Sequence, residues 1–270
     1  MATISWAYQS GAPEIPLYTA TIAGGGPNTF SMRSAASAGG GGGGGDAVTA
    51  GLLFYLDAGN TSSYPGSGTT MTDLAGSGIT TTLYGGPTYN SANGGYLMFT
   101  PSSSQYGKTS ASLAELATWS VEVWHYFNNT NYGSDPCIIS EVWEETPINF
   151  MIGCQSAWPY LTTGFYGAGG WNVVNTDYQL PSVGWYHIVG TFDGSNIKLY
   201  INNTLTRTQA STNVPTSSGL GIHIMRRWDE NAPEDYWGGG LAVFRIYSGA
   251  LTTDQIATNY NASKTRFGLS

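Results

Sequence analysis

Charged residues are scarce in this sequence, and basic residues are the scarcest of them. Lys, Arg, Asp and Glu together make up 10% of the 270 residues, nine of these are basic, and the formal net charge is −8. Nucleic-acid binding needs Lys and Arg clustered against phosphate, whereas the single adjacent basic pair, Arg226-Arg227, is followed by Asp229 and Glu230. The composition therefore argues against nucleic acid as a partner.

Long apolar stretches are missing as well. The sequence has no run of about 18 apolar residues that could span a membrane. It also lacks the basic segment followed by a short apolar segment that forms a standard secretory signal. We therefore expect a protein that does not bind membranes and is not exported by such a signal.

Cysteine occurs only twice, as Cys137 and Cys154. The two residues flank a predicted hairpin whose turn lies at residues 144–147, and both are equally far from the centre of that turn. They could face each other across two strands, close enough for a disulfide, or remain free, buried thiols that pack as small core residues. The missing export signal favours free thiols, because disulfides persist in oxidising compartments.

Glycine and aromatic residues, by contrast, are abundant, with 38 glycines and 13% aromatics. The most regular pattern lies in residues 184–203, where two apolar runs are joined by Asp193-Gly194-Ser195. Ile197, Leu199 and Ile201 share one face of a predicted strand, and the short glycine-containing turn predicts a hairpin. The first run carries apolar residues on both faces, which is typical of a strand covered on two sides.

Residues 48–266 indicate one strand after another, separated by clusters of Gly, Pro, Asn and Ser. A helix is predicted near the C-terminus, where Thr252 and Gln255 form a capping box and Leu251 and Ile256 suit a hydrophobic staple. We therefore expect a β-sandwich with one short C-terminal helix of about two turns.

Residues 1–46 differ from the rest of the chain. They contain three charged residues, three prolines and an unbroken run of seven glycines, Gly39–Gly45, which predicts a flexible tether. A purely solvating tail would be poor in aromatic residues, so we expect the apolar side chains of this arm to dock on a neighbouring protein: Trp6, Tyr8, Ile15, Leu17, Tyr18, Ile22 and Phe30. The alternative is a disordered low-complexity segment. The predicted organisation is an extended arm, 1–46, and a domain, 47–270.

Four segments of the sequence resemble laminin-G-like domains of the concanavalin A-like lectin/glucanase superfamily. They correspond, in order, to the opening found in many such domains of phage and bacterial surface proteins, an early core strand, the central hairpin, and the last strand with its helix: 51–78, 118–127, 184–203 and 238–260. The resemblance covers most of residues 48–266 and implies an all-β, concanavalin A-like jelly-roll sandwich. It leaves the function open, because such domains serve adhesion, glycan binding and virion decoration.

The superfamily includes glucanases, and resemblance to those enzymes would require the pattern Glu-x-Asp-x-x-Glu on one strand. No glutamate of this chain begins that pattern, and nothing else specifies the two carboxyl groups of a retaining glycosidase. His125, His187 and His223 lie far apart, without companions at metal-ligand spacing. We predict no enzymatic activity, no catalytic residue, no cofactor and no metal. The resemblance alone leaves Ca²⁺ as an option, without a matching motif.

The segment 226–237 is the strongest candidate for a ligand site. Two tryptophans bracket four carboxylates there, and sugar rings stack on aromatic rings while carboxylates accept hydrogen bonds from hydroxyl groups. The candidate residues are Trp228, Asp229, Glu230, Glu234, Asp235 and Trp237. The alternative is a solvated acidic loop whose tryptophans anchor its two ends.

These observations favour a non-enzymatic structural protein of a virion, one that decorates or cements the capsid surface of a tailed phage. The arm would dock on neighbouring subunits, so other virion proteins and further copies of the same chain would be its partners. The alternative is a glycan-binding adhesion module on a tail fibre or a cell surface, and thus extracellular. The segment 226–237 distinguishes the two hypotheses, because only the second requires it to bind sugar.

Overall fold

The computed structural model describes the backbone of residues 4–8 and 18–22, together with the backbone and side chains of most later residues. These later residues are 46–141, 147–154, 160–167, 169–174, 177–227 and 235–270, without the side chain of Tyr132. The chain divides into two compact units, Met1–Gly39 and Gly40–Ser270. Each unit has its own β-structure.

The described part of the first unit is a two-stranded antiparallel hairpin. Strand β1 spans Ile4–Tyr8 and β2 spans Tyr18–Ile22, with Ile4 opposite Ile22 and Tyr8 opposite Tyr18. The side chains of the predicted docking residues, and the whole of some of them, lie outside the described residues: Trp6, Tyr8, Ile15, Leu17, Tyr18, Ile22 and Phe30. Docking by the arm and the boundary at residue 46 therefore stay predictions.

The second unit consists mainly of strands, because turn-forming residues interrupt its alternating sequence every few positions. Its strands, in chain order, are β3 (Leu52–Asp57), β4 (Thr70–Thr72), β5 (Thr80–Tyr84), β6 (Thr88–Asn90), β7 (Tyr96–Phe99), β8 (Tyr106–Thr109), β9 (Trp119–Phe127), β10 (Asn131–Tyr132), β11 (Cys137–Glu141), β12 (Ile148–Gly153), β13 (Tyr160–Gly167), β14 (Gly170–Val173), β15 (Tyr178–Gln179), β16 (Gly184–Phe192), β17 (Asn196–Ile201), β18 (Thr204–Ala210), β19 (Ile222–Ile224), β20 (Arg226–Arg227), β21 (Asp235–Trp237) and β22 (Gly239–Tyr247). Its helices are α1 (Thr253–Ser263) and the 3₁₀ turns Ala92–Gly94, Pro101–Ser103 and Lys264–Phe267. None of these helices of the described chain is long and apolar enough to cross a membrane.

The strands of the second unit form two sheets, which face each other as a sandwich. The eight-stranded sheet has the order β18-β17-β16-β9-β22-β7-β6, and β3 also pairs with β22. The twelve-stranded sheet has the order β14-β13-β12-β11-β19-β8-β5-β4, and β10, β15, β20 and β21 extend it. The predicted all-β sandwich is confirmed.

The hairpin predicted at residues 184–203 is also confirmed. Strands β16 and β17 pair antiparallel, with Phe192 opposite Ile197. The Asp193 carboxylate accepts hydrogen bonds from the backbone N–H groups of Ser195 (3.0 Å) and Asn196 (2.7 Å), which fixes the turn between the strands. Strand β16 lies between β9 and β17 and is buried on both faces over most of its length, as its apolar pattern predicts.

The main core lies between the two sheets. The eight-stranded sheet contributes Phe54, Val121, Val123, Ile188, Leu199 and Phe244, and the twelve-stranded sheet contributes Ile139, Phe150, Ile152, Phe165 and Ile224. At Gly190 of β16 the sheets come into close contact, because a Cβ atom there would lie 2.1 Å from Thr163 Oγ1 of β13. A glycine at this position allows the backbone of one sheet to approach a side chain of the other.

The opposite face of the eight-stranded sheet is covered by α1 and the 3₁₀ turn that follows it. The predicted capping box is confirmed: Thr252 Oγ1 accepts from the Gln255 N–H at 3.3 Å, and Gln255 Oε1 accepts from the Thr252 N–H at 2.9 Å. Helix α1 has 11 residues, or about three turns, one more than predicted. Trp124 stacks on Tyr260 and Phe267, with ring centroids 5.8 and 4.4 Å apart, and so holds this segment against the sheet.

A charged cluster is buried beneath α1. The Glu122 carboxylate accepts hydrogen bonds from Arg245 Nη1 (2.8 Å) and Asn259 Nδ2 (2.6 Å), and lies 3.0 Å from His187 Nε2. Burial would raise the pKa of Glu122, but the Arg245 guanidinium and the hydrogen bonds from His187 and Asn259 outweigh it and lower the pKa to about 2. Asn259 also accepts from the Val48 N–H at 2.7 Å, so the cluster joins the sheet, the helix and the start of the sandwich.

Both cysteines are free and buried, as the argument from the missing export signal favours. Cys137 lies opposite Gly153, and the Cys154 N–H donates to Pro136 O at 2.9 Å. Cys154 packs in the main core, whereas Cys137 packs on the outer face of the twelve-stranded sheet. Burial raises the pKa of Cys137 to about 12, which keeps this thiol protonated near neutral pH.

Candidate functional site

The outer face of the twelve-stranded sheet, which points away from the core, is open to solvent along its β4-β5-β8 edge. The register places Thr82 opposite both Thr70 and Lys108, and Tyr84 opposite Tyr106. Because side chains alternate between the two faces of a sheet, the outward positions of these strands form one surface: Thr70, Thr72, Thr80, Thr82, Tyr84, Tyr106 and Lys108. We call this surface the threonine–tyrosine shelf.

A stack of tyrosine rings and one guanidinium group leads away from the shelf. Tyr84 and Tyr106 are nearly parallel, with ring centroids 4.6 Å apart and planes inclined by 10°. The Arg226 guanidinium lies 4.6 Å from the Tyr106 ring and 5.1 Å from the Tyr236 ring, so cation–π contacts hold the tyrosines in place. Tyr84 is 42% exposed, and Tyr106 is the single described ring that contacts it. The outer ring face of Tyr84 is therefore accessible to a ligand.

Lys108 supplies the charge of the shelf. Its side chain is half-buried between Thr82 and His223 of the neighbouring strands. Within the described residues, the Lys108 ammonium group makes no hydrogen bond or ion pair. Burial, with the charges of Arg226 and Lys108, lowers the pKa of His223 to about 3, so this imidazole is neutral near pH 7. The shelf thus carries one positive charge among neutral hydroxyl groups and rings.

A second charged cluster lies on strands β20 and β21 and extends to Trp171 on β14. Arg227 Nη1 is 3.0 Å from Asp135 Oδ2, and its guanidinium is 5.5 Å from the Trp171 ring. The Asp135 N–H donates to Asp235 Oδ1 at 3.3 Å, and burial raises the pKa of Asp235. These contacts hold both carboxylates against the protein. Both carboxylates are therefore already engaged and do not form an open acid and base for a substrate.

The structure corrects part of the ligand site predicted in segment 226–237. Trp237 lies in the main core with 1% of its surface exposed, and its indole N–H donates to His125 Nε2 at 3.0 Å. It cannot stack on a sugar from that position, and Asp235 is buried as well. The other predicted ligand residues lie outside the described residues, and their role stays a prediction: Trp228, Asp229, Glu230 and Glu234.

A groove of about 470 Å³ lies beside the β17-β18 hairpin. Its lining includes Tyr178, Leu205, Asn202 and Arg207. Arg207 forms an ion pair with Asp177, and its guanidinium lies 5.7 Å from the Tyr178 ring. Because the charge and the ring of this groove already have partners, the shelf is the better candidate for a ligand site.

The part of the chain that the structure describes holds no group of three or more His, Cys, Asp or Glu residues arranged to bind a metal ion. The Ca²⁺ site that the family resemblance left as an option therefore gains no support from these residues.

Sequence reasoning missed the shelf because no local motif joins its residues. They are spread from Thr70 to Lys108 over three strands. The available signal was the alternation in Thr80-Thr81-Thr82-Leu83-Tyr84 and in Tyr106-Gly107-Lys108, which puts polar and aromatic residues on one face. The strand register that brings Tyr84 against Tyr106 depends on tertiary structure.

Solved structures with a similar fold include several carbohydrate-related domains. Domain 4 of AbnA, an extracellular GH43 arabinanase from Geobacillus stearothermophilus solved with arabinotriose, has a TM-score of 0.59 at 17% identity and covers 78% of this chain and 98% of that chain. The binding domain of botulinum neurotoxin DC, in complex with SialylT, has a TM-score of 0.59 at 14% identity and covers 79% and 52%. The ligand-binding domain of botulinum neurotoxin serotype D, in complex with N-acetylneuraminic acid, has a TM-score of 0.55 at 15% identity and covers 79% and 51%. The chain thus spans about half the length of the two neurotoxin domains.

Sequence comparison identifies the family directly. No curated protein sequence matches the chain. The Laminin_G_3 family model, described as concanavalin A-like lectin/glucanases superfamily, matches residues 101–257, which is more than half of the chain. Of the four segments that resemble laminin-G-like domains, 118–127 and 184–203 lie within this match, 238–260 overlaps its end, and 51–78 lies outside it. The chain therefore belongs to the laminin-G-like family of the concanavalin A-like lectin/glucanase superfamily.

Proposed function

We propose that this protein is a non-enzymatic, glycan-binding module and that the threonine–tyrosine shelf is its binding surface. The observation that carries the proposal is the exposed ring face of Tyr84, which Tyr106 and Arg226 hold in place beside a row of hydroxyl groups. The apolar face of a sugar ring stacks on an aromatic ring, and its hydroxyl groups exchange hydrogen bonds with threonine hydroxyls. The shelf offers both kinds of contact side by side.

The similar structures support glycan as the ligand class. One was solved with arabinotriose, one with SialylT and one with N-acetylneuraminic acid. The first of these domains comes from an extracellular enzyme and the others are toxin binding domains, which supports a role at a cell surface or outside the cell. Because two of these neighbours are binding domains and the third was solved with arabinotriose, glycan binding takes precedence over capsid decoration. Decoration of a phage virion, with other virion proteins or copies of the chain as partners, stays a prediction from the sequence.

The charged groups around the shelf support binding without catalysis. His223 is held neutral with a pKa of about 3, so its imidazole is not a base that titrates near neutral pH. The carboxylates of Asp135 and Asp235 are already engaged, the first by Arg227 at 3.0 Å and the second by the Asp135 N–H at 3.3 Å. A glycosidase would need two carboxyl groups placed on either side of the scissile bond.

A glycan array probed with the full chain tests the proposal, and the Tyr84→Ala variant connects binding to the shelf. We expect a defined set of glycans to bind. Loss of the stacking ring should weaken their binding by about 5- to 10-fold. Tyr160→Ala is the matched control, because Tyr160 is 38% exposed and lies on β13, away from the shelf. An array with no binding, or equal losses in the two variants, would contradict the proposal.

A further inference from the structure

We infer that the shelf recognises acidic glycans, with Lys108 binding a carboxylate or sulfate group of a sugar held against Tyr84. The inference rests on the proposed glycan-binding function of the shelf and names the class of glycan. It follows from the position of Lys108 relative to the exposed ring, from the absence of a partner for its ammonium group among the described residues, and from the charges of the surrounding strands.

Lys108 and Tyr84 are placed to contact the same sugar. Thr82, Lys108 and His223 form one row across three strands, and Tyr84 and Tyr106 form the next row along the same face. Lys108 on β8 and Tyr84 on β5 are therefore diagonal neighbours across two paired strands, about 7–8 Å apart. Tyr106 stacks on the side of Tyr84 that faces β8, so a sugar on the open ring face lies on the β4 side. The flexible four-carbon stem of Lys108 can extend over Thr82 towards an acidic substituent of that sugar.

The positive charge of the Lys108 ammonium group is available to bind an anionic ligand. It makes no hydrogen bond or ion pair with any described residue. The groups beside it in its row are the Thr82 hydroxyl and the His223 imidazole, which is neutral near pH 7, so neither balances the charge. Because the side chain is half-buried, solvent screens its charge less than that of a fully exposed lysine.

The segments that carry the three shelf strands place no exposed carboxylate where it would repel an anionic ligand. Between residues 70 and 84 and between 105 and 110, the single carboxylate belongs to Asp73. That side chain is buried and accepts hydrogen bonds from the backbone N–H groups of Tyr55, Ala75 and Ser77. In a chain with a net charge of −8, a cation that pairs with no described residue makes this surface a selective place for an anionic group.

The test uses the same array, with sialylated, uronic-acid-containing, sulfated and neutral glycans, and the Lys108→Gln variant. We expect the bound glycans to be acidic, and the sialylated, uronic and sulfated members to show which anionic group binds best. Lys108→Gln should weaken their binding about 10-fold, the scale of one charge-assisted hydrogen bond. Added NaCl should weaken binding by the unchanged protein, because salt screens the charge of Lys108, and this salt dependence should disappear in Lys108→Gln.

Reducing the carboxyl groups of the best uronic or sialylated ligand to alcohols should weaken binding to the unchanged protein by a similar factor. Lys198→Gln is the control, because Lys198 lies on β17 and pairs with Asp193.

The outcomes separate this inference from the proposal on which it rests. Binding of neutral glycans that depends on Tyr84 but is unchanged in Lys108→Gln would overturn the acidic preference and leave the glycan-binding function intact. An array without any binding would overturn both. Equal losses in Lys108→Gln and Lys198→Gln would show a general charge effect and would contradict a specific role for Lys108.

Discussion

At the residue scale, Glu122 is the carboxylate on which the buried cluster beneath α1 depends. It accepts hydrogen bonds from Arg245 and Asn259, and both Glu122 and Arg245 are almost fully buried. Glu122→Gln keeps the shape of the side chain but leaves the Arg245 guanidinium without its counter-charge. We expect the free energy of unfolding to fall by about 3–5 kcal/mol, as measured by chemical denaturation.

The double variant Glu122→Gln/Arg245→Met is the control for this prediction. It removes both charges, so it should recover much of the stability that the single variant loses. A single variant as stable as the unchanged protein would show that the ion pair does not stabilise the fold.

Trp237 and Gly190 show the limit of sequence reasoning at this scale. A tryptophan next to carboxylates has the composition of a sugar site, but Trp237 points into the core and donates to His125. Gly190 stands in an apolar strand with no turn signal, and its role depends on Thr163 of the other sheet. The burial of Trp237 and the contact of Gly190 with the other sheet depend on tertiary structure. The residues next to them in the sequence therefore do not predict either property.

At the scale of elements, the capping box at the start of α1 should account for a measurable part of the stability. Thr252 Oγ1 is the acceptor for the Gln255 N–H, and Thr252→Ala leaves that donor without its partner. We expect a loss of about 1 kcal/mol in the free energy of unfolding, measured by urea denaturation. Thr253→Ala is the matched control, because Thr253 is exposed and follows the cap. Equal effects of the two variants would show that the cap contributes nothing specific.

The elements that the sequence predicted correctly have strong local signals. The β16-β17 hairpin has a regular alternation and an Asp-Gly turn, and α1 has its capping box. The shift in pairing between β22 and β9 at Leu241 and Val243 was not predictable in the same way. An extra residue in one strand is set by its partner strand, and it leaves the alternation on either side intact. Existence and type of an element are therefore easier to predict than its register.

At the scale of the whole molecule, buried titratable groups make stability depend on pH. Burial lowers the folded-state pKa of His125 from 6.5 to about 3, and burial with two nearby cations does the same for His223. As pH falls below 6.5, the unfolded chain binds protons at both histidines while the folded state does not, so the free energy of unfolding decreases towards pH 3. The folded-state pKa of Glu122 is lowered from 4.5 to about 2, so protonation of this carboxylate in the unfolded chain reduces the free energy of unfolding further as pH falls below 4.5.

We therefore expect the thermal midpoint to be nearly constant between about pH 7 and 8 and to fall steadily below about pH 6.5. Thermal denaturation followed by circular dichroism over this range measures the effect. His223→Gln cannot bind the proton in the unfolded state, so its midpoint should depend less steeply on pH. A midpoint of the unchanged protein that stays constant or rises from pH 7 to pH 5 would contradict the expectation.

The hydrogen bonds of Val48 have a consequence for how this domain can be combined with others. Its N–H donates to Asn259 of α1, and its carbonyl oxygen accepts from the Tyr247 hydroxyl at 3.2 Å. The strand-forming chain thus begins beside α1, the helix that follows its last strand. A domain whose two ends are neighbours can be grafted into a surface loop of a host protein through two short linkers, without forcing the ends of that loop apart. We expect the sandwich to tolerate such transplantation, with the shelf displayed at a distance from the graft junction.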